Sequence, residues 1–210
     1  SDRMNLAHHD GQVALHIAFA AAGVRSTRWR LERYYYEYEL RRRLGTPADA
    51  LIPDAVAVLA ADDDTRFAVA CEVDRSENPS YLVERKLVPY ATARASGAPL
   101  LGCTNWSVAW LCASLRRRNR VAEAAWQAGV PEGVHVFAGP DEITGRTVLS
   151  PAWWSARMVD GVPTLTRCDL FGDVVTDRSC RNNGQTCEKP TSAGDRGSAK
   201  SGCFTSEDAR

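Results

Sequence analysis

Between Asp54 and Lys86 the sequence sets three acids and one lysine in an order suited to phosphate chemistry: Pro53-Asp54, then Glu72-Val73-Asp74, then Lys86. Glu72 and Asp74 are two residues apart at the end of an apolar run. Strand side chains alternate faces, so both are expected on one side. The runs 51–59 and 67–74 flank the polar turn Asp62-Asp63-Asp64 and read as a hairpin. In that hairpin Asp54, at the start of one strand, lies beside the two acids that end the other. Three gathered carboxylates repel one another unless positive charge sits among them. A hard divalent ion, Mg²⁺ or Mn²⁺, is the natural occupant, because it takes oxygen ligands and keeps several waters. Such an ion lowers the pKa of a bound water and offsets charge developing on a phosphate. Lys86 is placed to orient that water or touch the scissile phosphate, and Tyr90, at i+4, shares its helix face. The expected catalytic set is therefore Asp54, Glu72, Asp74, Lys86 and Tyr90, with a phosphotyrosyl intermediate on Tyr90 as a rival to metal-activated water. The bland alternative makes Asp54 a turn cap, and Glu72 and Asp74 surface charges paired with arginines.

Lysine usage singles out one member of this set. Of 26 basic residues three are lysines, and Lys189 and Lys200 lie far downstream, so Lys86 is the single lysine before residue 155. A compact ammonium is not interchangeable with a planar guanidinium.

The elements that must position these residues follow from periodicity. Residues 6–22 space Val13, Ile17 and Ala20 or Ala21 as a helix ended by Gly23. Residues 27–43 read as a second helix with Leu31, Tyr34, Tyr35 and Tyr38 on one stripe, although Tyr34-Tyr35-Tyr36 also suits a strand. After the hairpin, Asn78-Pro79-Ser80 opens a helix carrying Leu82, Lys86 and Tyr90, which Pro89 bends or ends. Residues 98–103 read as a short strand, 107–128 as a helix and 134–137 as another strand. The expected fold is α/β, a mixed central sheet with helices on its faces. Its domain spans residues 1–155. Periodicity fades after Trp154, and residues 156–210 are expected to be an extension ending in a disordered polar tail.

Composition narrows the function classes. In 210 residues, 44% are hydrophobic and 25% charged, and no apolar run approaches the ~20 residues of a membrane span. The first residues lack a secretory layout, so a cytoplasmic protein without membrane contact is expected. Net charge is zero, so nucleic-acid binding has to be local. Arg116, Arg117, Arg118 and Arg120 form a cluster with no acid inside it and are the candidate DNA-phosphate contacts. A second arginine-rich stretch, residues 25–43, carries interleaved glutamates and suits a solvated helix face. None of the seven cysteines forms a C-x-x-C pair, so a zinc site is not expected.

The order P-D, a strand ending E-x-D, and a helix with K-L-x-x-Y resembles the replication-relaxation proteins of plasmids and integrative elements, in the PD-(D/E)xK restriction-endonuclease-like superfamily. The resemblance runs from about Leu6 to Trp154 and includes Ala7-His8-His9, Trp29-Arg30-Leu31-Glu32 and Leu149-Ser150-Pro151-Ala152-Trp153. It implies a restriction-endonuclease-like fold in which Asp54 and Glu72 bind metal. Asp74 stands where the superfamily more often has lysine, and Lys86 looks like that lysine relocated to the next helix. Glu32 resembles an additional metal-binding acid of the first helical segment. The winged-helix domain that usually precedes this region in the family is not visible here. The implied activity is a metal-dependent, relaxase-like endonuclease that nicks plasmid DNA, working with replication or mobilisation proteins. The alternative is a non-catalytic module on the same fold that binds DNA or a replication partner.

Overall fold

A computed structural model describes residues 2–44, 51–74 and 78–171. Seven strands form one mixed sheet whose spatial order follows the chain. Helix α1 (Asp2–Arg25) leads into β1 (Trp29–Tyr36) and the short α2 (Glu37–Leu44). Strands β2 (Ala55–Ala61) and β3 (Arg66–Asp74) complete an antiparallel meander with β1. One helical stretch follows, made of α3 (Pro79–Leu82), a π-helical turn (Val83–Leu87) and α4 (Val88–Ala95). It crosses to β4 (Trp106–Cys112), parallel to β3, and α5 (Leu115–Gln127) crosses to β5 (His135–Ala138), parallel to β4. The antiparallel hairpin β6 (Trp153–Val159) and β7 (Val162–Cys168) ends the sheet.

Two apolar layers enclose the sheet. On one face Leu15, Phe19 and Ala22 of α1 pack on Tyr34, Leu59, Val69 and Trp153. On the other, Leu82, Leu87 and Tyr90 join Val121 and Ala125 of α5 over Val56, Val108 and Trp110. The α/β reading with helices on both faces therefore holds.

Several elements differ from expectation, each for a physical reason. Residues 29–36 are a strand, and only 37–44 are helical. Glu32 is the extra residue of a β-bulge between Leu31 and Arg33. The bulge sets Trp29, Leu31, Tyr34 and Tyr36 against the α1 face, so Leu31 and Tyr34 share a side three residues apart, as helical neighbours would. Residues 106–112 are a strand rather than the start of a helix. Lying between two parallel neighbours, β4 is covered on both faces and shows no alternation. The expected strand at 98–103 is a tight turn closed by a Leu100–Cys103 bridge. The sheet also runs past residue 155, since β6 and β7 continue it to Cys168, and Cys168 and Leu170 are buried in the core. Residues 172–210, to which the expected disordered tail belongs, lie outside the described residues. No described helix is long and apolar enough to cross a membrane.

Candidate functional site

At the end of the meander, Ala55 pairs with Cys71, so Asp54 and Glu72 are neighbours across β2 and β3. The Asp54 carboxylate turns back on the sheet, its Oδ2 accepting the Val73 N–H at 2.8 Å. His8 of α1 reaches the other oxygen, with Nε2 3.5 Å from Oδ1. That approach depends on Gly11, where an added Cβ would stand 2.6 Å from Val73 Cγ1 and 3.2 Å from Cγ2.

Lys86 arrives from the helical crossover. In an α-helix the Pro89 ring would crowd the carbonyl four residues back and would lack an N–H to donate. Here the turn before it is widened, with the Val88 N–H donating to Val83 O in a π turn, and such turns recur at functional sites. Lys86 Nζ donates to Glu72 Oε1 and Oε2 at 2.9 and 3.0 Å and to the Ile52 carbonyl at 3.0 Å. Tyr90, on the next turn, donates its hydroxyl to Glu72 Oε1 at 2.5 Å. His135 of β5 supports this helix from below. Its Nε2–H donates to Leu87 O at 3.0 Å, and its Nδ1 accepts the Trp110 indole N–H at 2.9 Å.

The electrostatics are uneven. Burial and the adjacent Asp54 charge push the Glu72 carboxyl up to about 8, against the pull of Lys86 and the Tyr90 hydroxyl. Burial would also raise Asp54, but the His8 hydrogen bond, the Lys86 charge and the Val73 N–H outweigh it and hold Asp54 below the usual carboxylate range. The hydrogen bond to Asp54 raises His8 despite burial. Burial and then the Glu72 charge drive the Tyr90 phenol well up. A phenol so reluctant to ionise is a poor nucleophile, and Tyr90 instead positions Glu72.

The expected constellation is thus brought together in part. Asp54, Glu72, Lys86 and Tyr90 meet. Asp74 projects to the same side as Glu72, as alternation requires, but its carboxylate is taken by Arg117, whose Nε donates at 2.6 Å and Nη2 at 3.3 Å. Glu32 is not a ligand here: it lies on the β1 bulge and pairs with Arg66 at 2.7 Å. The arginine cluster divides as well. Arg117 serves Asp74. Arg118 is buried against Glu142 at 2.6 Å and over the Trp154 ring at 4.5 Å, while Arg116 and Arg120 remain exposed. The sequence names His8 only within the Ala7-His8-His9 opening, where a helix-end histidine reads as a surface residue, and the structure instead brings it to Asp54; His135 was missed. The available signal for His8 is its place seven residues, two helical turns, before Leu15 on the sheet-facing side of α1; nothing local pointed to His135.

Among the described residues no group of three or more His, Cys, Asp or Glu side chains is arranged to hold a metal. Two carboxylates do meet, and Mg²⁺ commonly needs only one or two of these beside waters and substrate phosphate. Asp54 and Glu72 are the two oxygen donors of this kind here, and Glu72 already receives Lys86 and Tyr90. Comparison with known families, curated proteins and solved structures returns no match.

Proposed function

We propose that the chain is a metal-dependent DNA endonuclease that nicks by phosphodiester hydrolysis, on a restriction-endonuclease-like sheet. One observation carries the reading: Asp54, Glu72 and Lys86, from the start of β2, the end of β3 and the π turn, converge at one end of the meander. Asp54 and Glu72 would hold Mg²⁺ or Mn²⁺, which when bound lowers the pKa of a coordinated water and offsets negative charge on the phosphate. Lys86 contributes a fixed ammonium beside both carboxylates, able to hold a phosphate oxygen or orient the attacking water. His8 lies beside Asp54, and that contact favours its protonated form. Exposed Arg116 and Arg120 supply sequence-independent phosphate contacts. The resemblance to replication-relaxation proteins makes plasmid DNA the substrate in this reading, with replication or mobilisation proteins as partners and the cytoplasm as the compartment.

A second reading, a non-catalytic module binding DNA or a replication partner, draws on a specific feature. Glu72 is buried and already receives bonds from Lys86 and Tyr90, a saturated arrangement that suits a structural ion pair. Incubation with supercoiled plasmid and Mg²⁺ or Mn²⁺ separates the two. Under the first reading the intact protein yields open circles, and EDTA, Asp54→Ala or Lys86→Ala stops it while circular dichroism shows a folded chain. No cleavage with either ion, together with an unchanged melting temperature on adding them, establishes the second.

A further inference from the structure

Alongside β1 lies a cavity of about 230 Å³, lined by Glu32, Arg33, Tyr35, Arg43, Arg66 and the Leu101-Gly102 turn. Arg66 begins β3 and Glu72 sits near its end, a separation of about 20 Å at ~3.3 Å per strand residue. At its other side the cavity reaches Tyr35, which pairs with Val56 two residues from Asp54, but it shares no lining residue with the acid site.

Its charge is unbalanced. Three guanidiniums line it against one carboxylate, and Glu32 is committed to Arg66 at 2.7 Å. Arg33 and Arg43 stand over the same Tyr35 ring, at 4.9 and 5.0 Å from its centroid. Among the described residues neither pairs with a carboxylate. Both guanidiniums line the same cavity, where they repel each other, and an anion bound there by both offsets that repulsion. Stacking on an aromatic also leaves the guanidinium edges free to donate, and their fork matches phosphate oxygens.

The backbone departs from regularity in two places around the same cavity. The β1 bulge at Glu32 places Glu32 and Arg33 consecutively on its wall, where a regular strand would alternate them. Across from it Leu101 adopts φ 49° ahead of Gly102 at φ 83°, a left-handed pair clamped by reciprocal Leu100 and Cys103 hydrogen bonds of 2.9 Å. A left-handed leucine costs about 1–2 kcal/mol, and such strain concentrates at ligand sites. The volume is below the roughly 300 Å³ at which drug-sized pockets begin, so it admits a single small anionic group and leaves the rest of its bearer outside.

We propose that this cavity binds a phosphoryl group through Arg33 and Arg43, with Tyr35 as their platform and Glu32 limiting the strength by holding Arg66. The bearer is either a nucleic-acid backbone or a small phosphate ester. The proposal stands apart from the endonuclease reading, so Asp54→Ala is expected to leave it intact.

Titration calorimetry of the full chain with inorganic phosphate, paired with melting curves, tests it. The intact protein is expected to bind and to gain melting temperature. The Arg33→Gln/Arg43→Gln double variant, altered at two exposed side chains, should bind at least about tenfold more weakly after loss of two charge-assisted bonds. Glu32→Gln, which releases Arg66, should bind more tightly. A short DNA duplex identifies the bearer. If the double variant weakens duplex binding and reduces its salt slope by about two, the bearer is a nucleic-acid backbone. If duplex binding is unaltered while phosphate binding falls, it is a small ester. Absence of phosphate binding by the intact chain overturns the proposal, as does equal binding by a folded double variant.

Discussion

Lys86 and Glu72 form the ion pair on which both functional readings turn, and its energetics can be probed from either side. Glu72 is buried, whereas the Lys86 side chain keeps about a quarter of its surface in solvent. Removing the lysine alone strands a buried carboxylate wherever Glu72 is ionised, so Lys86→Met is expected to lower stability by about 3 kcal/mol in denaturant melts at alkaline pH and by less at acid pH, where Glu72 takes up a proton. Glu72→Gln/Lys86→Met should lose less than the sum of the single changes, because neither charge is then left unpartnered. Additive losses would mean that the two groups do not interact in solution. His135 gives a pH signature of another sign. Burial pushes it down to about 4 against the opposing pull of the Leu87 carbonyl, and the Trp110 indole N–H donated to its Nδ1 needs the neutral ring. The unfolded chain takes up this proton near 6.5, so its effect is absent above that pH. As pH falls from about 6.5 to about 4, unfolding is favoured progressively, by about 3 kcal/mol in total. His135→Gln should flatten that limb of the stability profile; an unchanged slope would remove His135 as its source.

At the scale of elements, the meeting of α1 with β3 brings His8 to Asp54, and Gly11 is the condition for it. Gly11→Val gains helix propensity yet places new carbons against both Val73 methyls, in a position where Val73 is itself buried. Overpacking of this kind costs about 1–3 kcal/mol, so the variant should melt earlier, and any nicking should fall with the displacement of His8. Equal stability would mean that α1 does not seat on β3. The crossover helix teaches a related lesson. Pro89 was visible as an interruption, but its consequence is a widened turn that keeps the helix continuous and holds Lys86 and Tyr90 on the same carboxylate. The hairpin of β2 and β3 was legible because Ala55–Ala61 and Arg66–Asp74 flank a polar turn. The hairpin of β6 and β7 was overlooked although Asp160-Gly161, with φ 52° and 79°, is a strong turn signal between its strands.

For the whole molecule, the sheet is complete only with β7. Cys168 and Leu170 are fully buried, and the Ser107 hydroxyl donates to Leu170 O at 2.7 Å, tying the last described residues to the start of β4. A chain ended after Ser155 is therefore expected to lose cooperative unfolding in calorimetry. Retention of a sharp transition would show that the first five strands fold alone. The pattern of acids, the lone lysine of the first 155 residues and the strand–turn–strand rhythm around them were determined by local sequence, because alternation and turn chemistry act between near neighbours. Which acids meet was not. Asp74 has the right type and the right face, yet Arg117, 43 residues away, takes it. Glu32 has the right type, yet a bulge and Arg66 carry it to the other end of the sheet. His8 and His135 enter the site only through packing of α1 and β5. Pairing between residues distant in sequence is set by how the layers close over the sheet, and only the tertiary structure decides it.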